Sequence, residues 1–280
     1  LVATAGLQIV LGGVLSLGAG PVAGMGMVGV AWGHIIATAA GVLYLLGYLA
    51  SGQGRLRLQL QGFQMQRSMF ADILKVGAVA CLSPVQSVLA ILIFTGMLAQ
   101  LGTEALAGYG IGQRLEFLLI PIAFGIGVAS VPMVGMAMGA GNAARARRVA
   151  WVAGGVSAFN LGLIGAVVNL APELWARLFS QDPAVLGYAR QYLVTAGPAF
   201  PFFGLGLTLY FASQGAGQVI GPVLAGTVRL VVVAGAGYWL AQHQGTADSF
   251  YGLVAIAMVL YGAVTALAVK ITPWIAAKKA

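Results

Sequence analysis

GYGIGQRLEFLLIPIAFGIGVASVPMVGMAMGAGNAARARR, residues 108 to 148, decides what kind of fold this chain adopts. Gln113-Arg114-Leu115-Glu116 puts two formal charges in front of a run, residues 117 to 144, that carries none. About 20 apolar residues span a bilayer as a helix, and a charge inside such a span is costly enough to be informative. The rest of the chain decides that the medium is lipid. Of 280 residues, 60% are hydrophobic and 7% charged, with a mean hydropathy of +0.95. A soluble surface needs about a quarter of its residues charged. Other uncharged runs cover residues 1–54, 76–103, 149–172, 191–228 and 249–269. The fold class is therefore an all-α polytopic membrane protein. A transmembrane β-barrel needs alternating segments of roughly ten residues, and the sequence has no such alternation.

Eight segments are expected, at 2–17, 27–50, 76–101, 106–138, 149–171, 189–212, 219–241 and 250–272. Gly18, Gly20, Pro21, Gly24 and Gly26 split the first long run, and Gln214-Gly215-Ala216-Gly217-Gln218 followed by Gly221-Pro222 splits a later one, because glycine and proline punctuate helices. Lys and Arg alternate between sides. Arg55, Arg57, Arg67 and Lys75, then Arg145, Arg147 and Arg148, then Lys270, Lys278 and Lys279 share one side, whereas Arg177 and Arg190 sit opposite with Glu173 and Asp182. The positive-inside rule makes the richer side, and the C-terminus, cytoplasmic. Residues 51–75 read as a linker along that interface, with Leu56, Leu58 and Leu60 alternating with Arg57, Gln59 and Gln61. Asp182 before Pro183 reads as a helix cap rather than a ligand. A faint repeat relates Gly13 and Gly29 of the first two segments to Gly235 and Gly252 of the last two, as a duplication of two six-helix halves would.

Several function classes drop out. The formal charge of +8 lies in short clusters between apolar runs, a topological use of Lys and Arg rather than a nucleic-acid surface. Cys81 is the only cysteine, so neither a disulfide framework nor a thiolate metal site can be built. GIGQRLE and GAGQVIG follow no strand and are not phosphate loops. His34 and His243 lack metal-ligand company, no nucleophile, base and orienter can be assembled, and no cofactor is implied. The chain opens on Leu1 with neither an initiator Met nor a charged leader, which reads as a start inside a membrane segment with sequence upstream absent.

Of the six acids, Asp72, Glu104, Glu173, Asp182 and Asp248 fall in or beside loops, and only Glu116 falls within a span. Entering from residue 105, Glu116 is eleven residues in, about 16 Å at 1.5 Å per residue and close to mid-membrane. Loss of water at that depth makes the charged carboxylate costly unless a cation compensates, and a carboxyl so balanced is suited to taking up and releasing protons. Arg114 is two residues away and leaves the other side of the helix. Arg229, about ten residues into its own segment, reaches a similar depth from the opposite side. The group Gln113, Arg114, Glu116 and Arg229 is thus the candidate for proton or cation coupling, and a structural Glu116–Arg229 pair is the alternative. Ser83, Gln86 and Ser87 at i, i+3 and i+4 form a polar stripe, and Thr208, Tyr210 and Gln214 form a second group. Both are either the wall of a substrate cavity or interhelical hydrogen-bonding residues. Pro121, Gly125, Gly127 and Pro132 either bend their helix or pack it closely.

LGTEALAGYGIGQRLE (101–116), IPIAFGIGVASVPMVGMAMGAGNAARAR (120–147), Leu178-Phe179-Ser180-Gln181-Asp182, QGAGQVIGP (214–222) and MVGVAWGHIIATAAGVLYLL (27–46) together resemble the multidrug and toxic compound extrusion (MATE) family, of the MOP superfamily. The resemblance implies a half-transporter plus two helices. Residues 1–50 would be the last two helices of an N-terminal bundle, 51–75 the linker, and 76–280 the C-terminal six-helix bundle, with the remainder of the N-terminal half as partner. It also implies export of organic cations, drugs or metabolites across a bacterial inner membrane by alternating access, coupled to H+ or Na+, in a protein that is not an enzyme. Residues 76–101 lack the acid that some members carry there, and the segment with Thr208, Tyr210 and Gln214 lacks that of others. Only Glu116 matches a position that is acidic in some relatives, which disfavours a sodium site of several carboxylates and favours the proton. A lipid-linked oligosaccharide flippase of the same superfamily and a non-transporting scaffold are the alternatives.

Overall fold

A computed structural model describes residues 2–18, 24–52, 67–243 and 245–274. Among these all regular structure is helical, and seven helices are long and apolar enough to cross a membrane. The eighth expected segment is the shorter helix α1, Val2–Leu17, of 16 residues. The chain divides into two compact units, Leu1–Arg67 and Ser68–Ala280.

In the first unit α1 pairs with α2, Met27–Ala50. Helix ends leave carbonyls without partners, and the turn answers them: Met25 N–H donates to the Leu15 carbonyl at 2.9 Å and Gly26 N–H to that of Ser16 at 3.1 Å. Gly26 takes a positive φ of 56° to do so. A methyl at Gly29 or Gly33 would overlap the backbone of Leu15 or Gly12. Small residues thus let two backbones approach where lipid supplies no hydrophobic drive between helices.

The second unit holds α3 (Arg67–Leu98, all but its first residue), α4 (Thr103–Gly139), α5 (Ala143–Leu170), α6 (Glu173–Ala176), α7 (Pro183–Ala196), α8 (Phe200–Gly215), α9 (Ile220–Gln242) and α10 (Ala247–Ile271). Short 3-10 turns follow α3 and α7. Helix α8 is the hub and packs on α4, α5 and α10, while α7 lies on α4 and α9 on α10. Glycines set these approaches. Gly108 and Gly112 meet Tyr188 and Tyr192, Gly127 meets Phe211, and Gly206 meets Tyr261. One core cluster gathers Phe94, Tyr109, Leu119, Tyr192, Phe200 and Tyr251, and another gathers Val134, Ala146, Leu209, Ala212 and Val269.

Three boundaries differ from expectation. Helix α3 starts at Arg67, nine residues before the expected 76, so the last part of the expected linker is helical; residues 53–66 lie outside the described residues. Helix α5 starts at Ala143, because the Asn142 side chain accepts from Arg145 N–H at 2.9 Å. This draws Arg145, Arg147 and Arg148 out of the loop and into the first turns of the helix. Helix α7 starts at Pro183, where Asp182 caps it by accepting from Ala184 N–H at 2.9 Å, and the segment runs through a 3-10 turn at Gly197–Ala199 into α8. Pro84, Pro121 and Pro132 sit inside helices that continue past them. Of the repeat glycines, Gly29 is at a close approach whereas Gly13, Gly235 and Gly252 meet nothing, so the repeat does not extend to shared packing roles.

Candidate functional site

Four helices bring polar side chains to one place inside the second unit. Along α3, Ser83, Gln86, Ser87 and Ala90 follow helical spacing on one face. Tyr109 and Glu116 of α4 are seven residues apart and so share a face as well. Arg229 comes from α9 and Tyr261 from α10.

Two small cavities meet here. One, of about 30 Å3, is lined by Phe94, Tyr109, Glu116, Arg229, Val233 and Met258 among others. The second, of about 10 Å3, is lined by Ser83, Gln86, Ser87, Gly226, Arg229 and Tyr261. Arg229 and Ala90 belong to both. A water needs roughly 10–15 Å3 and two or more polar partners, so the first cavity has room and chemistry for one.

Glu116 is half-buried, with its Oε1 atom fully buried and without a hydrogen-bond partner among the described residues. Arg229 is the cation acting on it electrostatically, and Tyr109, neighboured by Thr95, feels both charges. Glu116 and Arg229 nonetheless stay beyond the 4.0 Å of an ion pair; the pair that closes among the described residues is Arg177–Glu173, on the surface. The Arg229 guanidinium lies over the Tyr261 ring at 5.7 Å, within cation–π range, and its Nε has no partner. Gln86 Nε2 donates to Thr227 Oγ1 at 2.8 Å while its Oε1, also buried, is unpartnered. The site thus holds one acid, one base, and an unspent donor and acceptor around the same arginine.

The other expected site residues sort differently. Arg114 is exposed and stacks 4.9 Å over the Phe179 ring. Next to it Trp175 Nε1 donates to the Ile111 carbonyl at 2.9 Å, so Arg114 belongs to an aromatic cap on α4 and not to the Glu116 site. Gln113 is half-buried and makes no side-chain hydrogen bond among the described residues. Thr208 is fully buried and donates to the Ala123 carbonyl at 3.4 Å, away from both cavities. Tyr210 donates its hydroxyl to the Ala80 carbonyl at 2.8 Å. Ala80 is four residues before Pro84, which has no N–H to offer it, so Tyr210 satisfies the acceptor that Pro84 frees. Gln214 and Ser83 flank that hydroxyl. Thr208 and Tyr210 are therefore interhelical hydrogen-bonding residues here, and Ser83, Gln86 and Ser87 are the ones that line a cavity.

Sequence reasoning missed Tyr109, Thr227 and Tyr261. The spacing of seven from Glu116 was a usable signal for Tyr109. Thr227 and Tyr261 reach the site through tertiary packing, which no local pattern announces.

Comparison with known proteins gives a consistent result. Residues 80–239, more than half of the chain, match the family model described as MatE. A probable multidrug resistance protein NorM of Thermotoga maritima is 29% identical over 156 residues, covering 55% of this chain and 33% of that protein. A multidrug export protein MepA of Staphylococcus haemolyticus is 26% identical over 237 residues, covering 83% and 51%. The chain thus spans about half or less of the length of these relatives. A solved MOP superfamily transporter from Pyrococcus furiosus has the same fold, with a TM-score of 0.87 at 21% identity over 96% of this chain and 60% of that one.

Proposed function

The chain belongs to the MatE family of integral membrane proteins, and from that premise we propose that it carries the coupling half of a proton-driven exporter of organic cations, drugs or metabolites. The observation that carries the proposal is Glu116 facing Arg229 across a cavity large enough for a water. A single carboxylate beside an arginine suits a proton, which needs one site, better than Na+, which wants several oxygen ligands. In this reading Glu116 holds Arg229 while ionised and releases it on taking up a proton. The freed guanidinium then finds the unpaired Gln86 Oε1 of α3 and the Tyr261 ring of α10. Protonation on α4 is thereby felt by three other helices.

Ser83, Gln86 and Ser87 are the proposed substrate-facing wall in a more open state than this one, where the cavity they line is about 10 Å3. Residues 76–280 act as one six-helix bundle, residues 1–50 belong with the other half of the transporter, and the two halves alternate access around one site. We also propose that the C-terminus lies in the cytoplasm of a bacterial cell, a reading supported by the positive-inside rule applied to Lys270, Lys278, Lys279 and the α5 arginines. A flippase of anionic lipid-linked sugars would want a basic cavity, whereas Arg229 shares its cavity here with the acid Glu116.

The test is efflux of an organic cation such as ethidium by the full-length protein carrying Glu116→Gln. Gradient-driven efflux should fall to background with the protein still folded in the membrane. Wild-type efflux with unchanged pH dependence would sink the proposal.

A further inference from the structure

A groove of about 570 Å3 runs between α4 and α5, on a part of the second unit remote in sequence from the α3 and α9 residues of the Glu116 site. Its walls are Ile126, Ala129 and Met133 of α4 and Val149, Val152 and Val156 of α5. Gly125 and Ala153 deepen it by having little or no side chain. Two lining residues are polar. Ser130 donates its hydroxyl proton to the Gly127 carbonyl at 2.6 Å, so it has no proton to offer a phosphate. The other is Arg148, at the end nearest the α4–α5 turn.

Arg148 is exposed and makes no hydrogen bond or ion pair among the described residues. Arg145 is exposed beside it, and Arg147 is held by the Thr272 carbonyl. No acid occurs between residues 117 and 172, and no acid pairs with Arg145 or Arg148 among the described residues. The position also opposes helix electrostatics, because three arginines in the first turns of α5 meet the positive end of its dipole. An anion is what this end of the groove lacks. Arg148 lies five residues beyond Ala143, about 8 Å along the axis, a depth from which an arginine reaches the interface while its stem stays in lipid. From Arg148 to Val156 the apolar wall extends about 12 Å further at 1.5 Å per residue.

We propose that the α4–α5 groove binds one acyl chain of an anionic phospholipid whose phosphate is held by Arg148. The apolar walls take the chain, and the guanidinium fork matches the phosphate. The net negative head group is selected because the arginines beside it have no ion-paired acid among the described residues. A zwitterionic lipid offers the same chain and the same phosphate, but its own ammonium competes for the charge.

The test is native mass spectrometry of the purified full-length protein, titrated with phosphatidylglycerol or with phosphatidylcholine of identical chains. The first phosphatidylglycerol should bind about fivefold more tightly than the first phosphatidylcholine, the ratio expected from one arginine. Arg148→Gln should remove that preference while Arg145→Gln leaves most of it. Ala153→Trp, which fills the groove, should weaken both lipids alike and keeps the test open if the Arg148 variant fails to fold. Equal binding of the two lipids by the wild type, or equal effects of the two arginine variants, would show only diffuse surface charge and overturn the proposal. Unchanged lipid binding by Ala153→Trp, as when another protein segment covers the groove, would overturn it too.

Discussion

Replacing Glu116 and Arg229 by Gln, singly and together, measures whether the two are coupled. The structure bounds the answer from both sides. Two unit charges 4 Å apart at an effective dielectric constant of about 20 interact by about 4 kcal/mol, and these groups stay beyond 4.0 Å, so about 4 kcal/mol is the ceiling. Exposed pairs give about 0–1 kcal/mol, but the Glu116 Oε1 and Arg229 Nε atoms are buried, which sets the floor above that. A water, for which the cavity has room, would screen the pair, and the expected coupling energy is therefore about 1–3 kcal/mol. The assay is a double-mutant cycle of thermal unfolding in detergent, run beside efflux in vesicles. Each single variant should be destabilised, and the double variant should be more stable than the sum of the two losses predicts. Additivity within about 0.5 kcal/mol would refute the pairing, because independent groups add. Efflux separates the two roles: a double variant that regains stability but not transport marks Glu116 as the coupling group, and one that regains both marks a structural pair.

Gly112→Ala drives a methyl into the Tyr192 ring and should cost about 1–3 kcal/mol of stability, as overpacking does, seen as a lower midpoint on thermal unfolding. Tyr192→Phe removes a buried hydroxyl without a partner among the described residues and should stabilise the protein by about 1 kcal/mol in the same assay. Tyr210→Phe strands the Ala80 carbonyl that Pro84 leaves free and should cost about 1–3 kcal/mol; adding Pro84→Ala restores an N–H at that turn and should recover most of the loss. Gln86→Ala frees Thr227 and should shift the ranking of exported substrates in a drug-susceptibility panel with protein levels unchanged, whereas lower levels and an unchanged ranking would make Gln86 a packing residue.

The apolar runs were enough to find the helices, because in lipid every backbone group must be satisfied within the segment and length alone then marks a span. Boundaries were less legible where a single side chain moves them. Asn142 starts α5 six residues before the expected 149, carrying three arginines into the helix. Depth arithmetic on the sequence put Glu116 and Arg229 at similar levels on different segments, and the structure has them lining one cavity. Arg114 was separable from Glu116 by helical angle alone. What stayed hidden were pairings between helices: Tyr210 with Ala80 and Gln86 with Thr227 are 130 and 141 residues apart in sequence, and Ser, Thr, Tyr and Gln in a span look the same whether they face a cavity or a neighbour. The proline at 84 held a partial clue, since it implies an acceptor at Ala80 in need of a donor from elsewhere.

The arrangement around Arg229 is poor as a stabilising device. A buried donor or acceptor without a partner costs about 1–3 kcal/mol, and here Arg229 Nε, Gln86 Oε1 and Glu116 Oε1 all lack one among the described residues. Replacing a buried charge pair with apolar residues of similar volume is often neutral or stabilising. Packing alone would thus favour leucine-like side chains at these positions, as at the neighbouring Val233 and Met258. Unspent donors and acceptors do have a use if the arginine occupies more than one position, because each position then satisfies a group that the other leaves open. Glu116 on α4 and Gln86 on α3 lie on opposite sides of that choice, with a carboxylate the stronger acceptor while charged and the amide the better one once the acid is neutral. A single proton is then enough to decide whether α4 or α3 holds α9, which is the smallest change of state that the proposed coupling requires.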